Sequence, residues 1–129
     1  MTAFDTDVLV WYFRGSEKAK ALVRRTARPE RLIPSVVYME LVQGCRNRAE
    51  IDELRRFVRE NFDGGPAHLT EAISVRALRL LEAHSLARGL RVADALIAGT
   101  ALEAGAVLHT ANVKHYRIID GLTLRPFSP

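Results

Sequence analysis

The sequence predicts an α/β protein in which a short central parallel sheet is flanked by helices on both faces, in three layers. Two observations predict it. Short apolar stretches of strand character, Thr2–Asp5, Leu32–Ile33, Ala106–Thr110 and Leu122–Phe127, alternate with longer stretches of helical period. Strands joined through helices run parallel, and the crossovers cover the sheet. The second observation is that carboxylates stand inside apolar runs near the predicted strand ends, where sites form in open α/β sheets.

The elements follow in order. Thr2–Asp5 leaves room for a very short strand only. The unbroken apolar run Val8–Phe13 reads as a helix, because Gly15 stops it and it is long for a strand. Trp11 falls in that run and is expected in the core. Ser16 can cap a second helix whose stripe is Ala19, Leu22, Val23 and Thr26, ended by Pro29. After Leu32–Ile33 and Pro34, Ser35 is the predicted N-cap of a helix reaching Gly44. Arg48–Asn61 is a helix burying Ile51, Leu54 and Val58, with acids leading and arginines following as its dipole favours. Asp63–Pro66 is a loop, and Ala67–Leu69 a further short strand. Thr70 caps a long helix to about Ala87, with Ile73, Ala77, Leu80 and Leu81 inward and Gly89 closing it. Ala93–Ala104 is an Ala-rich helix stopped by Gly105. A loop with Asn112, Lys114 and His115 follows the strand Ala106–Thr110. Pro126 makes the last strand an edge strand.

Composition bounds the function. The 129 residues suit a single domain over 1–129 and can bury a core. No apolar run approaches the ~20 residues of a membrane span, and the N-terminus lacks the order of a signal peptide, so a cytoplasmic protein is expected. One cysteine, Cys45, makes neither an internal disulfide nor a zinc site. His68, His84 and His109 lack partners at ligand spacing. A net charge of +4 and a pI of about 9.7 permit a polyanionic partner without demanding one.

The chemistry lies with the acids. Asp5 and Asp7 precede the run Val8–Phe13, Glu40 stands amid Val36, Val37, Met39 and Leu41, and Asp94 amid Val92, Ala95, Leu96 and Ile97. A carboxylate pressed against apolar groups is costly unless paired or bound to a cation. Each has a plainer reading: Asp5 or Asp7 as a helix cap, Asp94 as a first-turn acid, Glu40 as a solvated side chain. As a group they suit an oxygen-loving cation, Mg²⁺ or Mn²⁺. Thr110 is placed to hydrogen-bond one of them. Several arginines, at 24, 25, 28, 46, 48, 55, 56 and 59, are candidate phosphate ligands or ordinary surface charges.

The order DTDVLVWYFRG, PSVVYMELVQG and RVADALIAGTALEAGAVLHTANVKHY resembles the PIN-domain family, specifically its VapC-type toxins, over essentially the whole chain. The resemblance implies a PIN-like fold and a magnesium-dependent endoribonuclease that cuts cellular RNA, often transfer RNA. It implies Asp5, Glu40 and Asp94 as metal-binding and catalytic acids, Asp7 as a support behind them, and a homodimer silenced by a cognate VapB-like antitoxin. Many relatives carry a further acid after the AVLHT-like strand. Here TANVKHY offers Asn112 and His115 instead, as tentative substrate contacts together with Tyr116. Two other readings stay open, a non-catalytic RNA-binding or scaffold protein and a phosphorylation-receiver domain. The latter lacks an acceptor Asp after Leu32–Ile33.

Overall fold

The computed structural model describes residues 1–129. Four short strands, β1 (Thr2–Phe4), β2 (Arg31–Leu32), β3 (Val107–Thr110) and β4 (Leu124–Pro126), form one sheet in the order β2-β1-β3-β4. Every pairing is parallel: Ala3 stands beside Leu32 on one side and Leu108 on the other, and Leu108 beside Leu124. Pro126 lies on the outer strand, where its missing N–H breaks no ladder.

Seven helices supply the crossovers. They are α1 (Thr6–Phe13), α2 (Glu17–Arg25), α3 (Ser35–Gln43), α4 (Arg48–Asn61), α5 (Glu71–Arg88), α6 (Val92–Ala104) and the short α7 (Val113–Tyr116). Local chemistry sets most of their ends. The Ser16, Asn47 and Thr70 side chains accept from Ala19, Glu50 and Ile73 N–H groups at 3.2, 2.9 and 3.2 Å. Gly89 and Gly105 close α5 and α6 in the left-handed region, at φ 67° and 61°, which side chains resist. No helix is long and apolar enough to cross a membrane.

The core is one cluster centred on the inner strands. Phe4, Ile33 and Leu108 meet Val8, Leu9, Val37, Ile97 and Ala98 from the helices. Burying each large aliphatic or aromatic side chain contributes ~1.5–3 kcal/mol. Phe4 stacks on His109 across the β1–β3 ladder at 6.0 Å, and Phe57 packs against Tyr12, Phe13 and Phe62. The most extensive helix pairing is α5 on α6, where Gly99 faces the backbone of Ile73 and a Cβ there would lie 3.3 Å from the Ile73 carbonyl oxygen.

Several local expectations are corrected. Pro34, not Ser35, occupies the N-cap of α3, and the Ser35 hydroxyl is buried without a partner. Pro34 can take that place because its fixed φ suits helix entry. Ala67–Leu69 contributes a single bridge, Pro34 to Ala67, instead of a strand. Residues 113–116 coil into α7 where a loop was predicted. In α4, Phe57 takes the buried place expected of Ile51, which is only half-buried. Trp11 is half-buried outside the core, with the Arg14 guanidinium 5.4 Å from its ring centroid.

Candidate active site

Strand order dictates where a site belongs. From β1 the chain crosses to β2 on one side, then passes to β3 on the other. The crossovers diverge between β1 and β3, leaving a crevice at their C-terminal ends. Asp5 follows the last residue of β1, and Thr110 is the last residue of β3. The Asp5 N–H donates to the His109 carbonyl at 2.9 Å, which extends the ladder and holds the acid beside Thr110.

Asp5 does two things at once. Its Oδ1 accepts from the Thr6 N–H at 2.8 Å, starting α1, and its Oδ2 accepts from the Thr110 hydroxyl at 2.8 Å. It is 6% exposed. Burial, then the Asp7 charge, push its pKa up to about 6, against the hydrogen bonds from Thr110 and Thr6 that favour the carboxylate.

Asp7, in the first turn of α1, braces the loop after β3. Its Oδ2 accepts from the Ala111 N–H at 3.0 Å and, at 3.4 Å, from Thr110. Its Oδ1 is buried without a partner. Burial raises its pKa too, again against hydrogen bonds.

Glu40 lies in the middle of α3, which packs on α1. It is half-buried, and its Oε1 accepts from the Thr6 hydroxyl at 2.6 Å, so the freely solvated reading does not hold. Asp94 lies in the first turn of α6 but does not cap it. No side chain caps that helix, and Asp94 Oδ1 lies 3.4 Å from the Tyr116 hydroxyl. Its Oδ2 is 3.8 Å from His115 Nδ1, the atom that also faces Asn112 Nδ2 at 3.0 Å.

Tyr116 is fully buried, and its hydroxyl donates to Asp94 Oδ1 at 3.4 Å. Burial first, and then the Asp5 and Asp94 charges, raise its pKa far above the ordinary tyrosine value, so the hydroxyl stays protonated and donates. A side chain so enclosed cannot touch RNA, which corrects that expectation. Asn112, Lys114 and His115 are exposed beside it.

The residues are thus brought to one end of the sheet through hydroxyls. Thr6 links Asp5 to Glu40 through its N–H and its hydroxyl, Thr110 links Asp5 to Asp7, and Tyr116 holds Asp94. No lysine or arginine forms an ion pair with any of these acids. Oxygen donors without a cationic partner, and the orphaned Asp7 Oδ1, suit a hard cation. The acids do not close directly on one point. As the side chains stand, no three His, Cys, Asp or Glu groups could hold a metal. The interposed donors each take one lone pair of a carboxylate oxygen and leave the other for a cation. Sequence reasoning missed the roles of Thr6 and Tyr116. The only local signal for Thr6 is a hydroxyl set between two acids in Asp5-Thr6-Asp7.

Comparisons with known proteins agree with this architecture. A toxin–antitoxin complex from Klebsiella pneumoniae contains a chain 24% identical, with a TM-score of 0.80 and full coverage of both chains. VapBC-1 from nontypeable Haemophilus influenzae matches at 22% identity and TM-score 0.78, over 97% of this chain and 96% of that one. FitAcB from Neisseria gonorrhoeae matches at 18% identity and TM-score 0.77, over 96% of both chains. Curated protein sequences return no match. The PIN domain family model matches residues 3–120. Covering β1 from Ala3, β2, β3, all seven helices and every acid described above, that match shows that the chain belongs to the PIN domain family.

Proposed function

We propose that this chain is the toxin of a type II toxin–antitoxin pair, a metal-dependent endoribonuclease that hydrolyses cellular RNA, with transfer RNA among its candidate substrates. One observation carries the reading: a PIN domain holds a buried carboxylate, Asp5, and its acidic neighbours at the switch point of a parallel sheet with no lysine or arginine to neutralise them. PIN domains are generally nucleases.

In this reading Asp5 and Asp94 bind Mg²⁺, or Mn²⁺, directly. Glu40 binds directly or through water, orients the attacking water and takes its proton. Two carboxylates, waters and a substrate phosphate satisfy Mg²⁺ without a complete protein cage. The bound ion would polarise the phosphoryl group and stabilise charge on the leaving oxygen. Thr110 and Asp7 hold Asp5 in place, while Asn112 and His115, exposed at the rim, contact the RNA. The decisive experiment is incubation of the purified chain with total RNA. Cleavage with Mg²⁺ that EDTA abolishes is expected, and intact RNA in both would refute the nuclease.

The proposal includes a VapB-like antitoxin, a homodimer and a cytoplasmic location. The related structures described as toxin–antitoxin complexes support the partner. A flexible antitoxin segment offering an arginine would pair with Asp5, Glu40 and Asp94 in bidentate fashion and displace the metal. Co-expression with the neighbouring small reading frame should give a copurifying complex and relieve toxicity; failure of both would remove the partner from the proposal. Light scattering reports the dimer.

A second reading, a non-catalytic RNA-binding or scaffold protein, is favoured by one observation: no three metal-binding side chains converge. RNA retained without cleavage at any Mg²⁺ or Mn²⁺ concentration would select it.

A further inference from the structure

Arg55 and Arg59 stand one turn apart on the same face of α4. Neither forms an ion pair. Like charges at this spacing oppose helix stability, and no carboxylate pairs with either of them. Both line a concave pocket of about 380 Å³ together with Tyr38 of α3, Arg28 and the loop Asp63–Pro66.

Arg28 is already committed. Its Nε donates to Asp63 Oδ1 at 2.6 Å and its Nη2 to the Arg59 carbonyl at 3.3 Å. This strut ties the loop to the last turn of α4 and neutralises the one carboxylate of the pocket. Gly64 and Gly65 then turn the loop at φ 76° and 75°, with open space where a Cβ would stand. What remains uncommitted is two guanidiniums beside a half-buried tyrosine ring.

A guanidinium fork matches phosphate oxygens in bidentate fashion. An aromatic ring beside such cations is the combination by which proteins hold single strands, the cation on the backbone and the ring on a base. The position fits as well. Tyr38 and Glu40 stand two residues apart on α3, so the pocket and the acids lie on opposite flanks of that helix, roughly 10–12 Å apart. A single strand running over the exposed Met39, which stands between Tyr38 and Glu40, crosses that width within a few nucleotides.

We propose that Arg55 and Arg59, with Tyr38, form a subsite for a backbone phosphate of the RNA, a few nucleotides from the position of cleavage. The subsite rests on the RNA-nuclease reading above. The test is fluorescence anisotropy of a labelled single-stranded RNA with the full chain in EDTA, where cleavage is silent, at several KCl concentrations. The double variant Arg55→Gln/Arg59→Gln should bind about tenfold more weakly. Its slope of log K against log salt should fall by about 0.7 for each phosphate that is no longer neutralised. Arg79→Gln/Arg88→Gln, which removes the same charge from α5, should stay within about twofold of wild type, and thermal melts show that both variants fold. Tyr38→Leu should weaken binding without changing the salt slope, since it removes stacking and no charge. Unchanged affinity and slope in the Arg55/Arg59 variant would overturn the subsite, as would an equal loss in the α5 variant. A wild type that neither binds nor cleaves RNA would instead overturn the nuclease reading, and the subsite with it.

Discussion

The Thr6 hydroxyl donates to Glu40 Oε1 across 2.6 Å, while the backbone N–H of the same residue donates to Asp5 Oδ1 at 2.8 Å. One residue at the start of α1 therefore orients two acids from different elements. Thr6→Val keeps the shape and loses the donor. We expect a stability loss of ~1 kcal/mol and RNA cleavage slowed about tenfold, equivalent to ~1.4 kcal/mol of barrier. Thr6→Ser should restore both. Single-turnover cleavage and melting curves check this; a fully active Thr6→Val would separate Thr6 from the chemistry.

The acids themselves give a sharper test. Asp5→Asn, Glu40→Gln and Asp94→Asn each keep shape and remove charge. Each should lower RNA cleavage by at least about a hundredfold, the scale of a lost general acid or base, while circular dichroism stays native. Normal cleavage by a folded Asp5→Asn protein would end the metal reading.

Stability without metal should depend on pH through Asp5, whose pKa rises from 3.8 to about 6 on folding. The folded state then holds this proton more tightly than the unfolded chain does. There is no penalty below the unfolded pKa. The penalty grows as pH climbs from 3.8 to about 6 and is complete above that window. Its full size is about 3 kcal/mol. In EDTA, the stability of wild type relative to Asp5→Asn should fall across this window and level off above it. Denaturant titrations at pH values on both sides decide the matter, and a difference that rises with pH would contradict the buried, raised acid.

Asp7 is the nearest charge acting on Asp5 and carries the orphaned Oδ1. Asp7→Asn removes the repulsion and keeps an acceptor for the Ala111 N–H. In EDTA at neutral pH the variant should be more stable than wild type by ~1 kcal/mol. The Asp5 carboxyl should titrate lower, as read by carbon NMR shifts. A less stable variant would make Asp7 a structural brace whose charge is needed.

Away from the site, Gly99→Ala tests the α5–α6 contact. Its Cβ would lie 3.3 Å from the Ile73 carbonyl oxygen and 3.4 Å from Ile73 Cγ2. Helix propensity favours alanine by ~1 kcal/mol, whereas forcing the two helices apart costs ~1–3 kcal/mol. The backbone neighbour cannot swing aside, so the sum should be destabilising. A higher melting temperature would mean that the helices slide apart freely.

By itself the sequence determined what depends on neighbours along the chain. Ser16 and Thr70 cap their helices, Gly89 and Gly105 close theirs, and Pro126 lies on the outer strand of a parallel sheet, because cap, turn and ladder chemistry act within a few residues. It also singled out Asp5, Glu40 and Asp94, since an acid in an apolar run is conspicuous without any tertiary information. Tertiary structure alone decided that Pro34 replaces Ser35 as a cap, that α7 forms, and that Tyr116 is enclosed rather than offered to RNA. It alone decided how the acids are spaced. The bonds Thr6–Glu40, Tyr116–Asp94 and Thr110–Asp5 join residues 34, 22 and 105 positions apart. Their geometry is set by how helices seat on the sheet, and no pattern of local period or spacing encodes which hydroxyl will come to stand between two carboxylates.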